Sequence, residues 1–197
     1  ATAVQELGYA LAAASDALAA GQALPAVTFA VGSNYFFEIA KLRAARMTFA
    51  ALVEAYAAPA VEIRALTALS NKSIYDPYTN LLRSTTEALS AVLGGADALA
   101  VQPAAYPARL ARNVQLVLTE EAHLDKVADP AGGSYYIESL TDSIAREAWK
   151  FFQQVEAEGG YAQALASGSV GKTLAASRAA RENAVSNRRR ALVGVNN

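Results

Sequence analysis

The spacing of hydrophobic and polar positions changes period several times along the chain, and each change marks an element. From Val4 to Ala20 dense alanine and leucine predict a helix, closed by Gly21 and stopped by Pro25. Ala26-Val-Thr-Phe-Ala-Val31 has the length and β-branched content of a buried strand, and Gly32-Ser-Asn34 supplies a turn with capping residues. In the helix that follows, Phe36, Ile39, Ala40, Met47, Ala50 and Ala51 fall in one arc at 3.6 residues per turn. That arc is expected to face the core, with Lys41, Arg46 and Glu54 pointing elsewhere.

Pro59 ends this helix, and Glu62 to Leu69 reads as a second strand. After a polar loop, Asp76-Pro77 has the form of an N-cap with proline at the first helical position. Leu82, Thr85, Leu89 and Leu93 then repeat at helical spacing until Gly94-Gly95. Asp97 to Gln102 is a third short strand, and Leu110, Val114, Leu118 and Glu121 mark one side of another helix that Val117 widens. Three strand–helix alternations predict parallel β/α units and an α/β class. Three units cannot close an eight-stranded barrel, so a sheet margin is expected to need covering.

Past Pro130 the order changes. Gly133 to Glu138 looks extended, and Ser139 with Asp142 resembles a capping box opening a helix with the stripe Leu140, Ile144, Ala148, Phe151 and Val155. Gly159-Gly160 ends it, and the remainder to about Arg190 reads as peripheral helix. The chain thus divides into residues 1–130, a partial β/α barrel, and 131–197, an extended segment followed by helices.

At 197 residues and 53% hydrophobic content the chain can bury a core. The 17 basic and 18 acidic residues are nearly balanced, which gives no electrostatic pull toward nucleic acid or anionic membrane. The lack of cysteine excludes thiolate chemistry and suits a reducing compartment, so cytoplasm is the expected location. Apolar runs such as Ala44 to Ala60 are broken by Arg46, Glu54 and Pro59 and do not read as membrane spans.

Few residues suggest chemistry. Ala166-Ser-Gly-Ser-Val-Gly-Lys-Thr173 lacks the first glycine of a phosphate-binding loop and follows a helical segment, so it reads as a helix-to-helix turn. The only histidine, His123, is read late on a helix beside Glu120 and Glu121, with too few partners for a metal site. Arg188-Arg-Arg190 reads as a solvated tail, and Asp125, Asp129 and Glu138 as turn and cap residues. The best functional positions are the C-terminal strand ends, Gly32 to Asn34, Ala68 to Ser73 and Gln102 to Tyr106, where β/α barrels place ligands. They hold hydroxyls and amides, with Lys72 as their one permanent charge, which suits holding a ligand better than moving a proton.

Asp125-Lys-Val-Ala-Asp-Pro-Ala-Gly-Gly-Ser-Tyr-Tyr-Ile-Glu-Ser-Leu-Thr-Asp142, Ala108-Arg-Leu-Ala-Arg-Asn113, Asp76-Pro-Tyr-Thr-Asn80 and Phe36-Phe-Glu-Ile-Ala-Lys-Leu-Arg-Ala-Ala-Arg46 occur in the order of another set of proteins. Through them the chain resembles the methylmalonyl-CoA mutase family, and within it the small subunit that does not bind cobalamin. The resemblance implies the last three β/α units of an eight-stranded TIM-type barrel that binds a CoA thioester along its axis, followed by C-terminal helices. It implies methylmalonyl-CoA/succinyl-CoA isomerisation with adenosylcobalamin in a partner large subunit, and no cofactor or metal bound by this chain.

The family's catalytic residues do not carry over. Leu66 stands where catalytic chains have a glutamine, Ala26 where they have an arginine and Gln102 where they have an asparagine, and their Asp-x-His-x-x-Gly cobalamin motif is missing. No catalytic residue is therefore expected. Thr28, Ser33, Asn34 and Gln102 remain as candidate acyl-CoA contacts. The implied partner is the large catalytic subunit, as a heterodimer. Two alternatives are an acyl-CoA mutase substrate domain whose cobalamin domain lies on another chain, and a non-enzymatic domain that self-associates.

Overall fold

The structure, a computed structural model, describes all residues 1–197. Helix α1 (Ala3–Ala19) begins at Thr2, whose hydroxyl accepts from Gln5 N while the Gln5 side chain accepts from Thr2 N, a reciprocal cap. Strand β1 (Ala26–Val31) and helix α2 (Tyr35–Ala55) come next, then β2 (Glu62–Thr67) and α3 (Pro77–Leu93). Strand β3 (Ala98–Ala100) leads to α4 (Ala108–Leu116), which continues as one π-helical turn, Val117–Glu121. Helices α5 (Tyr135–Ala157), α6 (Gly160–Ala166) and α7 (Ser169–Ser186) complete the chain.

The three strands form one parallel sheet in the order β1-β2-β3, with Thr28 level with Arg64 and Arg64 level with Ala98. An α/β fold of successive β/α units is thus present. Both outer margins of the sheet lack a strand neighbour. Helices cover one face only. Phe29, Val31, Ile63 and Ala65 are buried beneath α2 and α3, whereas Thr28, Ala30, Arg64, Ala98 and Ala100, on the opposite side of the same strands, are exposed.

Helix α5 lies across α1 and α2, so that Ile144, Ala148, Phe152 and Val155 join Leu7, Leu11, Phe29, Leu42, Phe49 and Leu52 in the main core. Each such large side chain contributes roughly 1.5–3 kcal/mol by leaving water. The α1–α5 approach depends on Gly8. A β-carbon there would stand 2.6 Å from Phe151 Cδ1 and 3.1 Å from the Ala148 carbonyl oxygen.

Several expectations are corrected. On α2, Ile39 and Ala40 are buried as expected, but Phe36, Met47, Ala50 and Ala51 are exposed and the buried stripe runs through Lys41, Leu42, Ala45, Thr48, Phe49 and Leu52. Lys41 is turned inward because two carboxylates meet it. On α3 the leucine stripe is not the buried one: Leu82 is exposed and Leu89 half-buried, while Asn80, Ser84, Glu87 and Ser90 face inward, and Asn80 and Glu87 hold the preceding loop through Ser73, Asn71 and Lys72. Strands β2 and β3 are shorter than expected, ending at Thr67 and Ala100. Val117 is exposed.

The segment Gly133 to Glu138 is not extended. Helix α5 starts at Tyr135, before Ser139 and Asp142, because Glu138 accepts from Gly133 N and from Arg43 and so fixes the first helical turn. The expected stripe of α5 does face the core. Beyond it, α6 ends and α7 begins around Gly168, which has the left-handed φ of 79°; the stretch Ala166 to Thr173 thus holds a helix-to-helix turn as expected, with Lys172 in the first turn of α7. His123 stands past the end of the π-helical turn, at φ 53°, instead of on a helix.

Candidate functional site

A cavity of about 410 Å³ opens at the C-terminal ends of β1 and β2. Its floor is Gly32, Ser33 and Asn34 after β1 and Ala68, Ser70 and Asn71 after β2. A charged wall is built from Glu6 on α1 and Glu38 and Lys41 on α2. The C-terminal segment supplies the opposite side through Arg181, Arg190 and Leu192.

That C-terminal segment is held in place by Asn196, whose side chain accepts from Leu192 N at 2.7 Å and donates to the carbonyls of Val185 and Arg190 at 2.7 and 2.9 Å. Arg83 of α3 donates to the Val193 carbonyl, which ties the segment across the strand ends.

Of the four residues expected to contact ligand, Ser33 and Asn34 line the cavity, and Asn34, the N-cap of α2, makes no capping bond that would occupy its side chain. Thr28 does not line the cavity and lies earlier on β1, on the strand's uncovered face. Gln102 is placed elsewhere and is held by three bonds: its N–H donates to Thr67 Oγ1 at 2.8 Å, its Nε2 to the Thr67 carbonyl at 2.9 Å, and its own backbone carbonyl accepts from Tyr106 OH at 3.0 Å. It fastens the end of β3 to the end of β2.

Lys72 was expected to be the free charge of these loops, but it is engaged too. Nζ donates to both Glu87 oxygens at 2.7 and 2.6 Å, and Asn71 Nδ2 donates to the same carboxylate at 2.6 Å. The Lys72 side chain is 6% exposed and that of Glu87 0%. Burial drives the Lys72 amine below its ordinary value despite the carboxylate. It also holds the Glu87 carboxyl above its usual range, against the pull of Lys72 and Asn71.

The residues that sequence reasoning passed over are Glu6, Glu38 and Lys41. Lys41 Nζ donates to Glu6 Oε2 at 2.9 Å, lies 2.7 Å from Glu38 Oε2 and donates to the Ala30 carbonyl. Glu6 Oε1 accepts from Ala30 N at 2.8 Å. Burial opposes the Lys41 charge, but the two carboxylates outweigh it, so the ammonium sits above its ordinary value. The available signal was the i, i+3 spacing of Glu38 and Lys41.

Chemically the site offers hydroxyls, amides and two arginines beside a wall of ion-paired side chains. Lys41 and Glu6 are committed to one another and to the Ala30 backbone, and the buried Glu38 Oε2 meets only the Lys41 ammonium. No group of three or more His, Asp or Glu side chains gathers to hold a metal ion. No helix is long and apolar enough to cross a membrane.

Residues 1–197, the whole chain, match the family profile described as methylmalonyl-CoA mutase. The chain belongs to the methylmalonyl-CoA mutase family. It is 42% identical to the methylmalonyl-CoA mutase small subunit of Porphyromonas gingivalis, over 98% of this chain and 35% of that protein. It is also 42% identical to the small subunit of Streptomyces virginiae, over 85% of this chain and 29% of that one. The methylmalonyl-CoA mutase of Cereibacter sphaeroides is 38% identical over 98% of this chain and 30% of its own length. The chain therefore spans about a third of the curated mutase relatives it matches.

Proposed function

We propose that this chain is part of the small subunit of an adenosylcobalamin-dependent methylmalonyl-CoA mutase, where it forms about three β/α units of an eight-stranded barrel and serves as structural partner to the catalytic large subunit. The reaction of the whole assembly is the interconversion of methylmalonyl-CoA and succinyl-CoA. The observation that carries this reading is the one-sided sheet. Thr28, Ala30, Arg64, Ala98 and Ala100 are exposed on a surface that a closed barrel turns toward its axis, and both sheet margins await a strand.

Adenosylcobalamin belongs, on this reading, to the large subunit. The one imidazole, His123, is exposed beyond α4 and does not line the cavity, so it does not fit as a cobalt ligand and no step is routed through that group. If acyl-CoA reaches this chain, Ser33 and Asn34 meet it at the strand ends and Thr28 along the axis; Gln102 contributes by fixing β3. Cytoplasm is the proposed compartment.

Co-expression with a mutase large subunit and with the remaining β/α units of a small subunit tests the assignment. A stable complex that contains this chain, sized by light scattering, is the expected result. A monodisperse monomer that ignores both would overturn it.

A further inference from the structure

Arg188, Arg189 and Arg190 read alike in the sequence, but the fold separates them. Arg190 lines the strand-end cavity and also an adjoining hollow of about 510 Å³ that shares Ser33, Asn34, Phe37 and Glu38 with it, whereas Arg188 and Arg189 line neither. The backbone of Arg190 is pinned from both sides: its N–H donates to the Ala184 carbonyl at 2.9 Å and its carbonyl accepts from Asn196 Nδ2 at 2.9 Å. Arg181, half-buried on α7, borders the same cavity. Neither guanidinium is paired with a carboxylate, because the acids around them are taken: Glu6 and Glu38 lie 2.9 and 2.7 Å from Lys41 Nζ, and Glu182 lies 2.7 Å from Arg178. The charged side chains of the cavity are therefore two carboxylates against one ammonium and two guanidiniums, an excess of one positive charge.

We propose that the strand-end cavity is an oxyanion site: Arg181 and Arg190 grip the carboxylate or phosphate group of a small ligand, and Asn196 holds Arg190 in place for it. A guanidinium offers paired N–H donors at the spacing of two carboxylate or phosphate oxygens, and it stays charged throughout the pH range in which proteins are folded. Lys41 cannot take that part, since its ammonium is spent on Glu6, Glu38 and the Ala30 carbonyl. Ser33, Asn34 and Ser70 complete the lining with hydroxyls and an amide for the ligand's remaining polar atoms, and a volume of about 410 Å³ suits a small molecule. Asn196 does not line the cavity. It is a positioning residue, acting through the Arg190 carbonyl and the Leu192 amide.

The site is read from this chain alone and does not rest on the subunit assignment, so either can fail without the other. Isothermal titration calorimetry of the 197-residue chain against sodium succinate and, separately, inorganic phosphate, with ionic strength held by sodium chloride, measures it. Saturable one-to-one binding of at least one anion is expected, and the tighter of the two says whether a carboxylate or a phosphate group is the preferred form. Arg181→Ala and Arg190→Ala should each weaken that binding by about tenfold or more, the loss expected when a hydrogen bond to a charged group is removed.

Two further variants separate a built site from diffuse attraction. Arg189→Ala removes the same charge from the adjoining exposed position and should leave the affinity within about twofold, whereas Asn196→Ala keeps every lining side chain and should weaken binding about as much as Arg190→Ala. Saturation by neither anion in the wild-type chain overturns the proposal whatever the variants do. So does an equal loss in Arg189→Ala and Arg190→Ala, and full affinity in Asn196→Ala overturns the positioning role.

Discussion

The two faces of the β1–β2–β3 sheet are made by the same strands and obey opposite rules. Under the helices, Phe29, Val31, Ile63 and Ala65 are nearly sealed from water, and Phe29 meets Phe49 edge-on with ring centroids 6.1 Å apart. On the other side alanines and Thr28 lie bare, with Arg64 paired to Glu62 at 2.7 Å. The covered face already carries the packing that holds this chain together. The bare face makes no such packing, and apart from Arg64 its exposed side chains are small.

The largest expected effect comes from breaking the covered face. Phe29→Ala should cost about 3–5 kcal/mol, measured by urea unfolding, and a loss below about 1 kcal/mol would mean the helix layer is not the principal source of stability. Next is the buried pair under the second strand end: Lys72→Met leaves Glu87 without its cation, at a cost of about 3 kcal/mol near neutral pH. Burial already holds the Glu87 carboxyl high, so its ionisation opposes folding. The variant's deficit should therefore shrink as pH falls through that raised value and Glu87 takes up a proton, visible as converging unfolding midpoints.

A smaller effect is expected at the start of α5. The hydrogen bond from Arg43, then that from Gly133 N, holds the Glu138 carboxyl below its ordinary range. Its contribution is present above the unfolded value of about 4.3 and is lost as pH falls through the folded one. A lower protection of the Gly133 amide, relative to an unprotected amide at the same pH, below that range and with the α1–α5 contact intact would show it. Smallest of all, Thr28→Ala on the bare face should shift stability by no more than about 0.5 kcal/mol, and a larger loss would show that this face is already doing part of the packing.

Where local punctuation was strong, the sequence was readable: Pro25 and Gly32 bracket β1, Asp76 caps α3 by accepting from Thr79 N, and Gly168 marks the turn that separates α6 from α7. Periodicity failed where composition blurred it. In α2 the alanines at 40, 44, 45, 50 and 51 populate two neighbouring arcs, and only the Lys41 ion pairs and the seat of Phe49 decide between them. In α3 the leucines suggested a core face, but the loop after β2 needed Asn80, which accepts from Ser73 N and donates to the Ser73 carbonyl, and that need turned the polar side inward. Tyr135, Tyr136 and Ile137 favour a strand by propensity; contacts from Arg43, far off in sequence, make them helical. The strand-end site was legible in Ser33 and Asn34, since it follows from strand-then-turn order. Its charged wall was not, because Glu6 and Lys41 meet only once α1 and α2 have packed.

The stitching by Asn196 has a consequence for how this chain joins anything larger. Because its side chain gathers the Leu192 amide and the Val185 and Arg190 carbonyls into one knot, the final residues do not trail away from α7 but double back over the strand ends. A tag, linker or neighbouring module attached after Asn197 would set out from beside the mouth of the cavity.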